Sequence, residues 1–403
     1  MSFEEFLTDI QSATKTEDGA AVADALSLRA LPVELDLSFE HDVKNAVKDR
    51  TWAEVVTVHL KAKDLLVRED LNDAYEGQVA VVQAVLKGCS AGWERWILPV
   101  LYTVCRDLRW IAIESDKQSG KTENLESTAQ VLNRAFTACI TDRASLDESR
   151  KWGTYVLAAL LFKIYFRLNK LSLCKNVLRA VDVSELPELE EYGRGEVCTW
   201  KYYLGVIAFL NEDYKKAATE LTGAFDLCLS THTVNQTRIL TYLIPTNLLL
   251  SEPRLPSTAL FEAFPELKRL YEPIVDALRL GRLGAYDNAL ANAETDLVKT
   301  RAYLTVERAR AVCVRNLLRR TWLLSEKSSR MEINTFAAAV NFSLREAALE
   351  SGGNPEQIDA EEVECELANQ IYRGAMKGYI SREKGMVVLS AKDAFPKSAN
   401  IIV

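Results

Sequence analysis

Proline is scarce in this chain, and two long stretches lack it altogether. Ten prolines occur among the 403 residues, and none lies between Pro99 and Pro187 or between Pro273 and Pro355. Because a proline inside a helix removes a hydrogen bond and clashes with the preceding turn, these stretches permit long unbroken helices. A chain of this length also exceeds the size at which one compact core keeps growing. We therefore predict a helical protein with two domains or an elongated array of repeats.

The groups that usually perform catalysis or bind metals are also few. The three histidines, His41, His59 and His232, are far apart in the sequence, and no cysteine pair has the CxxC spacing. The string SGKT at 119–122 ends like a phosphate-binding loop, but Ser115 stands where that loop needs a glycine. We predict no catalytic site, no metal and no cofactor. The eight scattered cysteines are interpreted as buried, reduced thiols.

We also expect neither a targeting signal nor a membrane-spanning segment in this sequence. Residues 1–10 contain three acidic residues in place of the basic residues of a secretory signal. The longest uninterrupted apolar run, 155–162, is far shorter than the roughly 20 residues that span a bilayer. The formal net charge of −8 argues against a chain coated with nucleic acid along its whole length. We expect a soluble, intracellular protein that binds no membrane.

Helical spacing of apolar residues is what the sequence has in abundance. Phe3, Phe6, Leu7 and Ile10 form one apolar stripe, which predicts a short N-terminal helix, followed by a loose stretch to about Glu34. From position 52 onward the helical pattern is nearly continuous. The chain thus divides into four predicted parts: an N-terminal helix and loose segment (1–50), a helical-repeat domain (51–330), a winged-helix module (331–396) and a tail (397–403).

A weak internal repeat runs through the helical region. The string at 201–225 resembles the tetratricopeptide pattern, in which small residues such as Gly205 and Ala217 allow two helices to cross closely. Its turn and second-helix start recur at 283–290, and 169–174 occupies the same point of an earlier hairpin. A single hairpin cannot bury its own apolar face, so neighbouring hairpins must stack. We predict an all-α fold, a right-handed solenoid of irregular TPR-like hairpins.

The pattern changes character near the C-terminus. A turn at 351–355 precedes Asp359, which stands three residues before Glu362 as in a capping box. Two short strands are predicted at 379–381 and 386–389, joined by a tight turn. Helix, turn, helix and a two-stranded wing is the order of a winged helix. We predict that this module caps the hairpin array.

An array of helical hairpins that ends in a winged helix resembles the PCI domain of the proteasome lid, the COP-nine signalosome and translation initiation factor three. Particular strings narrow the likeness: WILPV at 96–100, KWG at 151–153, LFKIYF at 161–166, and the run at 358–381. They are similar to the branch that contains the signalosome-associated subunit twelve, PCI-domain-containing protein two and the PCI subunit of the nuclear transcription-and-export complex. The likeness extends from about position 52 to 396.

The resemblance implies a role in an assembly. Members of this branch pair with a second PCI-domain protein, bind a small acidic subunit shared with the proteasome lid, and act in nuclear messenger-RNA biogenesis and export. The leading hypothesis is a non-catalytic nuclear scaffold that also contributes a basic surface for RNA or single-stranded DNA. The alternative is a protein-only adaptor associated with the COP-nine signalosome or a proteasome-lid-like assembly.

A concentration of basic residues between 299 and 330 is the main candidate for contact with nucleic acid. On a continuous helix, with roughly 100° per residue, four of its arginines fall within about 40° of one another. Such a stripe fits phosphate contacts or the docking of acidic protein segments, while pairing with neighbouring carboxylates would leave it without a binding role. The candidates here are Arg301, Arg308, Arg315, Arg319, Arg320, Lys327 and Arg330.

The predicted second helix of the winged helix is acidic, which disfavours its insertion into a major groove. Basic residues lie at its far end and on the wing, where we expect backbone contacts with little sequence preference. These are Arg373, Lys377, Arg382, Lys384 and Lys392.

The wing itself is predicted to join a partner by adding an exposed strand edge to the partner's sheet. A wing packed only on its own helices is the alternative. The candidate partner-binding residues are Tyr379, Ile380, Met386, Val387, Val388 and Leu389.

Two other features are given structural interpretations. The acidic segment 182–196 is interpreted as a solvated connector. The tryptophans are interpreted as hairpin core and not as ligand cages: Trp93, Trp96, Trp110, Trp152 and Trp200.

Overall fold

The computed structural model describes residues 3–30, 39–250, 254–352 and 357–396. Within them the chain forms eighteen α-helices and one three-stranded β-sheet. It divides into two compact units, Met1–Trp200 and Lys201–Val403. The divisions proposed from the sequence at positions 50, 330 and 396 stay predictions.

The first unit is a succession of helices that pack on their sequence neighbours. They are α1 (Phe3–Lys15), α2 (Gly19–Ala25), α3 (Phe39–Ala46), α4 (Arg50–Val67), α5 (Leu71–Ser90), α6 (Leu98–Ser119), α7 (Glu123–Ile140), α8 (Thr154–Arg167) and α9 (Cys174–Asp182), while α10 (Arg194–Leu210) continues into the second unit. The carboxylate of Asp49 accepts hydrogen bonds from the N–H groups of Thr51 and Trp52 and so caps α4. α4 packs on α5, α5 on α6 and α6 on α7, which gives the predicted hairpin arrangement.

The N-terminal segment is more ordered than the sequence pattern predicts. The helix at Phe3–Lys15 is confirmed, but the expected loose stretch is wrong for Gly19–Ala25, which is helical and packs against α6. Val22 is fully buried, and the N–H of Leu28 donates a hydrogen bond of 2.8 Å to the buried carboxylate of Asp107. A helix of only two turns is too short to show a clear period in the sequence. Positions 31–34 of the predicted stretch lie outside the described residues.

A buried ion pair fixes the connection between α7 and α8. The side chains of Asp142 and Arg150 are 8% and 15% exposed, and Oδ1 and Nη2 are 2.9 Å apart. Arg150 also donates a hydrogen bond to the carbonyl oxygen of Cys89, at the end of α5. Burial alone would raise the pKa of Asp142, but hydrogen bonds from Arg150 outweigh it and lower that pKa to about 2. The pair therefore ties three helices together in its charged form.

The second unit continues with hairpins. Its helices are α11 (Tyr214–Leu227), α12 (Thr233–Leu248), α13 (Thr258–Ala263), α14 (Pro265–Leu280), α15 (Leu283–Lys299) and α16 (Tyr303–Leu324), followed by α17 (Ile333–Ser351) and α18 (Ala360–Tyr372). The close crossing expected at Gly205 is confirmed, because a Cβ atom there would lie 2.6 Å from Cγ of Leu221. The carboxylate of Asp213 caps α11 by accepting from the N–H of Lys216.

Gly281 allows α14 to end directly against α16. It has a left-handed φ of 65°, and a Cβ atom there would lie 2.5 Å from the backbone nitrogen of Leu317. Side chains of α16 satisfy the final carbonyl groups of α14: Asn316 donates to Leu278, and Arg320 donates to Leu280. Only glycine tolerates both this φ and this close approach of two backbones.

The winged helix consists of α17, α18 and a three-stranded antiparallel sheet. The strands are β1 (Arg330–Glu332), β2 (Gly378–Ser381) and β3 (Met386–Leu389), in the order β1-β3-β2. The capping box of Asp359 and Glu362 and the two wing strands are confirmed. β1 was not predicted, because three residues are too few to show an alternating pattern.

The sheet order corrects one prediction. Residues 386–389 form the central strand, paired with β1 on one side and β2 on the other, so their expected exposed edge is wrong. A strand that pairs on both sides cannot add to a partner's sheet. The fold class is nevertheless confirmed: helical hairpins precede a terminal winged helix. No helix among the described residues has the length and apolar character needed to cross a membrane.

Candidate macromolecule-binding surface of the winged helix

The core of the winged helix positions its surface residues. Phe336 of α17, Leu367 of α18 and Val387 of β3 are fully buried and belong to one apolar cluster with residues of α16. The side-chain N–H of Asn341 donates a hydrogen bond to the backbone carbonyl of Ile358, and its side-chain oxygen accepts one from the backbone N–H of Ile358. These two bonds orient α18 relative to α17. The wing and the end of α16 are therefore held on a common rigid base.

The sheet has two distinct faces. Directly opposed residues in paired strands project to the same side, so Met331, Val387 and Ile380 share the inner face, toward the core. The outer face has Arg330, Val388 and Tyr379 in a row across the three strands. Tyr379 is 63% exposed and Val388 is half-buried. This outer sheet face (Arg330, Val388, Tyr379) therefore combines apolar groups with a cation.

The six predicted partner-binding residues are thus divided by the sheet. Val387 and Leu389 are buried in the core, and Ile380 packs against it, so these side chains are occupied internally. Tyr379, Val388 and Met386 belong to the outer side of the sheet. β2 is an edge strand of the sheet, whereas β3, on which the edge was expected, is not. Any partner contact by β3 must therefore use its side chains and not its backbone.

The predicted basic stripe on α16 is interrupted by ion pairs. Arg301 precedes the helix and has a left-handed φ of 59°, so it does not share the helical face. Arg308 lies 2.7 Å from a carboxylate oxygen of Glu212, and this hydrogen bond raises the pKa of Arg308. Arg310 is likewise bound through two nitrogens by Asp287, at 2.8 and 3.0 Å. Pairing with neighbouring carboxylates, the alternative interpretation of the basic stripe, therefore applies to Arg308 and Arg310.

Arg315 is committed to an internal structural contact. Its guanidinium donates to the carbonyl oxygen of Pro396 at 2.7 Å and to that of Phe395 at 3.4 Å. Burial, and then the charge of Arg319, lower the pKa of Arg315. The prediction that Arg315 belongs to an open cationic stripe is therefore wrong, because its charge is directed at the last described segment of the chain.

A smaller set of exposed cations converges around the end of α16. Arg319 lies one helical turn after Arg315. The ring centroids of Trp322 and Phe395 are 5.6 Å apart, so this face of α16 contacts the C-terminal segment. The N–H of Leu389 donates to the carbonyl of Ser329, which lays residues 325–330 beside the strand that leads to position 392. Four exposed cations thus border the same junction and form what we call the basic end surface: Arg319, Lys327, Arg330 and Lys392.

The remaining basic candidates differ in how far their charges are already bound by other groups of the protein. Arg320 is exposed but caps α14 through the Leu280 carbonyl. Lys377 lies 3.1 Å from Asp393, and Arg382 lies within 4.0 Å of two glutamates of α18. Lys384 is exposed in the turn between β2 and β3, and Arg373 is half-buried at the end of α18. The acidic face of α18 therefore partly neutralises the wing.

Exposed apolar side chains on this module were not singled out from the sequence. Phe342 and Leu349 of α17 are 70% and 69% exposed, and Leu324 at the end of α16 is 87% exposed. Phe342 lies six positions after the buried Phe336, which turns it about 240° away on a helix. This angular offset could have identified Phe342 as an exposed residue from the sequence.

Titratable groups elsewhere do not assemble into a metal site in the described part of the chain. His59 is fully buried, and burial lowers its pKa to about 3, so its ring is neutral. His41 and His232 are exposed. The cysteine interpretation holds for five buried thiols, whereas Cys365 is exposed.

Comparison with known proteins agrees with the architecture. A family model described as the PCI domain matches residues 290–391. The chain is 41% identical over 368 residues to "Protein CSN12 homolog" of Schizosaccharomyces pombe, covering 87% of this chain and 84% of that protein. The protein of the same name from Neurospora crassa is 34% identical, with 96% and 97% covered. "PCI domain-containing protein 2" of Xenopus laevis is 32% identical over 412 residues, with 100% and 99% covered.

Helical hairpins that lead into a winged helix, together with these likenesses, show that the chain belongs to the PCI-domain family. The fold and the relatives together indicate a scaffold subunit of a protein complex. Within the family, the chain falls in the branch of the CSN12 homologues and PCI domain-containing protein 2, as the sequence motifs predicted.

Proposed function

We propose that this chain is a non-catalytic scaffold subunit of a nuclear PCI-protein complex that acts in messenger-RNA biogenesis and export. It pairs with a second PCI protein, carries a small acidic subunit and contacts RNA or single-stranded DNA through its winged-helix end. The observation that supports the nucleic-acid contact is the basic end surface, with four exposed cations around the end of α16 in a chain with a net charge of −8. Such a surface favours phosphate contacts without base readout.

The acidic face of α18 limits how nucleic acid binds. Its exposed glutamates include Glu361, which lies 3.5 Å from Arg382. A helix of this charge repels the phosphates that flank a major groove, so α18 does not act as a recognition helix. Flexible single strands can instead follow the junction between α16 and the C-terminal segment. We therefore expect a preference for single-stranded over double-stranded nucleic acid.

Charge reversal on the basic end surface tests this contact. We expect the Arg319→Glu and Lys327→Glu double substitution to weaken binding of a fifteen-nucleotide oligouridylate about 10-fold or more, because two phosphate contacts become repulsive. The slope of log affinity against log salt concentration should fall by about 1.4, given about 0.7 per contact with a single strand. Fluorescence anisotropy between 50 and 200 mM salt, on the chain alone and with its co-purified partners, measures both quantities.

The control is a pair of exposed cations on α9, Lys175→Glu with Arg179→Glu. It changes the net charge equally and should leave binding within about two-fold of the wild type. Equal losses in both variants would show a general charge effect and no defined surface. If the wild-type complex binds no oligouridylate, the protein-only adaptor associated with a signalosome-like or lid-like assembly becomes the better account.

The outer sheet face is the proposed contact for the second PCI protein. Tyr379→Ala removes an exposed ring from this face, and we expect it to weaken the pairing about 10-fold, in the range typical of aromatic interface residues. Tyr372→Ala is the matched control, because Tyr372 is 83% exposed but ends α18 and does not lie in the sheet. Light scattering of the mixed subunits after size exclusion measures the complex. An intact complex with Tyr379→Ala would exclude this face.

A further inference from the structure

A cavity of about 710 Å³ lies within the first unit, away from the winged helix. Four segments that are distant in the sequence form it: the turn between α1 and α2, the start of α6, the segment before α8, and the start of α10. The last of these belongs to the stretch 182–196 that was interpreted as a connector. Its residues 191–193 and 196 instead line a formed depression.

Aromatic rings form the walls of this cavity. Trp152 and Tyr192 pack with ring centroids 5.0 Å apart, and Trp96, from the segment before α6, also lines the cavity. The indole N–H of Trp152 donates to the carbonyl of Leu146 at 2.7 Å, which fixes the orientation of the ring. Tyr192 is buried, and its hydroxyl donates to a backbone carbonyl. The interpretation of Trp96 and Trp152 as hairpin core is incomplete, because both are only half-buried and reach the cavity.

The charge around these rings is strongly one-sided. Seven Asp and Glu side chains line the cavity, against the single guanidinium of Arg95. Within the described part of the chain none of the seven takes part in a salt bridge. They include Glu148 and Glu191, which are exposed at the rim, and Glu196, whose pKa is raised by burial. Like charges at this density, without salt-bridge partners, attract cations and repel phosphates.

Arg95 shows how a cation fits this site. Its guanidinium lies over the ring of Trp152, 4.4 Å from the centroid, in cation–π geometry. The indole face therefore already holds a side-chain cation, and the carboxylates around it exceed what one guanidinium can neutralise. The volume accommodates several side chains, and the carboxylates come from four segments, so one small cation would satisfy only part of the site.

We propose that this cavity binds an extended basic segment of a partner protein, with an arginine or lysine side chain placed on the Trp152 ring. Charge complementarity selects the partner: seven carboxylates line the cavity without a salt bridge, although Asp18 also caps α2, and they favour a segment with several cations. Aromatic walls favour arginine over lysine, because a guanidinium stacks on an indole as well as pairing with carboxylates. The bound segment displaces Arg95 from the ring or stacks beside it.

The test uses the full chain and a fluorescein-labelled nonapeptide of alternating arginine and glycine. We expect binding that weakens about 10-fold between 50 and 300 mM salt, a weaker complex with the lysine–glycine peptide, and none with a glutamate–glycine peptide. Glu148→Gln with Glu191→Gln should reduce the affinity about 10-fold at low salt. The matched control, Glu76→Gln with Glu185→Gln, removes two exposed carboxylates of the same unit outside the cavity and should stay within two-fold.

Arg95→Gln gives the opposite result. It vacates the Trp152 ring, so the peptide should bind several-fold more tightly, whereas Arg143→Gln, an exposed arginine outside the lining, should have a smaller effect. Equal losses in the cavity and control pairs, weaker binding by Arg95→Gln, or binding of spermine as tight as that of the peptide would each overturn the proposal. The last result would mark a diffuse cation atmosphere in place of a peptide site.

Discussion

Replacing Arg150 with methionine is expected to lower the free energy of unfolding of the first unit by about 3–5 kcal/mol, because it leaves the Asp142 carboxylate buried without a partner. The loss includes the hydrogen bond to the Cys89 carbonyl. Denaturant unfolding followed by circular dichroism measures the change. Lys117→Met is the control: it breaks an exposed pair with Glu114 and should cost at most about 1 kcal/mol.

The same pair predicts a dependence on pH. The folded-state pKa of Asp142, about 2, is below its ordinary value of 3.8, so its charge stabilises the fold above pH 3.8. That stabilisation is lost as the pH falls through 3.8 toward 2. The advantage of the wild type over Asp142→Asn should therefore be constant at neutral pH and shrink in acid. An advantage that grows in acid would contradict the ion pair described here.

Gly281→Val is expected to destabilise the second unit by at least about 3 kcal/mol. A β-branched residue is strained at the positive φ of this site, and its Cβ would overlap the backbone of α16 at Leu317. Because neither helix backbone can rotate away, α14 and α16 must separate, and the bonds from Asn316 and Arg320 to α14 break with them. Thermal unfolding detects the loss, and oligouridylate binding should weaken because Arg319 moves with α16.

Gly352→Val separates the two causes of this effect. Gly352 ends α17 with a φ of 72°, but no heavy atom lies within 4 Å of a Cβ built there. A valine at this position has the backbone strain without the steric clash, so the substitution should lower the free energy of unfolding by about 1–2 kcal/mol. If both variants lose the same stability, the close approach of α14 and α16 is energetically unimportant.

The parts of the fold that sequence reasoning found are those with local signals. The TPR-like crossing at Gly205 depends on small residues at fixed spacing along two adjacent helices. The capping box of Asp359 and Glu362 involves residues three positions apart. In each case the physical cause lies within one hairpin or one helical turn, so the sequence displays it directly.

The candidate surface could be predicted only in part, because contacts between distant residues decide which charges remain available. The partner of Arg308 is Glu212, 96 positions earlier, and Arg315 reaches a carbonyl group 81 positions later. Helical geometry placed Arg308, Arg315 and Arg319 on one face, but it contains no information on what packs against that face. The role of β3 as a central strand was missed for the same reason, since the paired residues Arg330 of β1 and Val388 of β3 are 58 positions apart.

The position of β1 also determines where the winged helix can be cut from the rest of the chain. A fragment that begins after Glu332 would lack the strand that covers one side of β3 and the arginine that binds the C-terminal segment. Its uncovered main chain would be a template for pairing with other copies, which favours aggregation. Studies of the module in isolation therefore need to include α16.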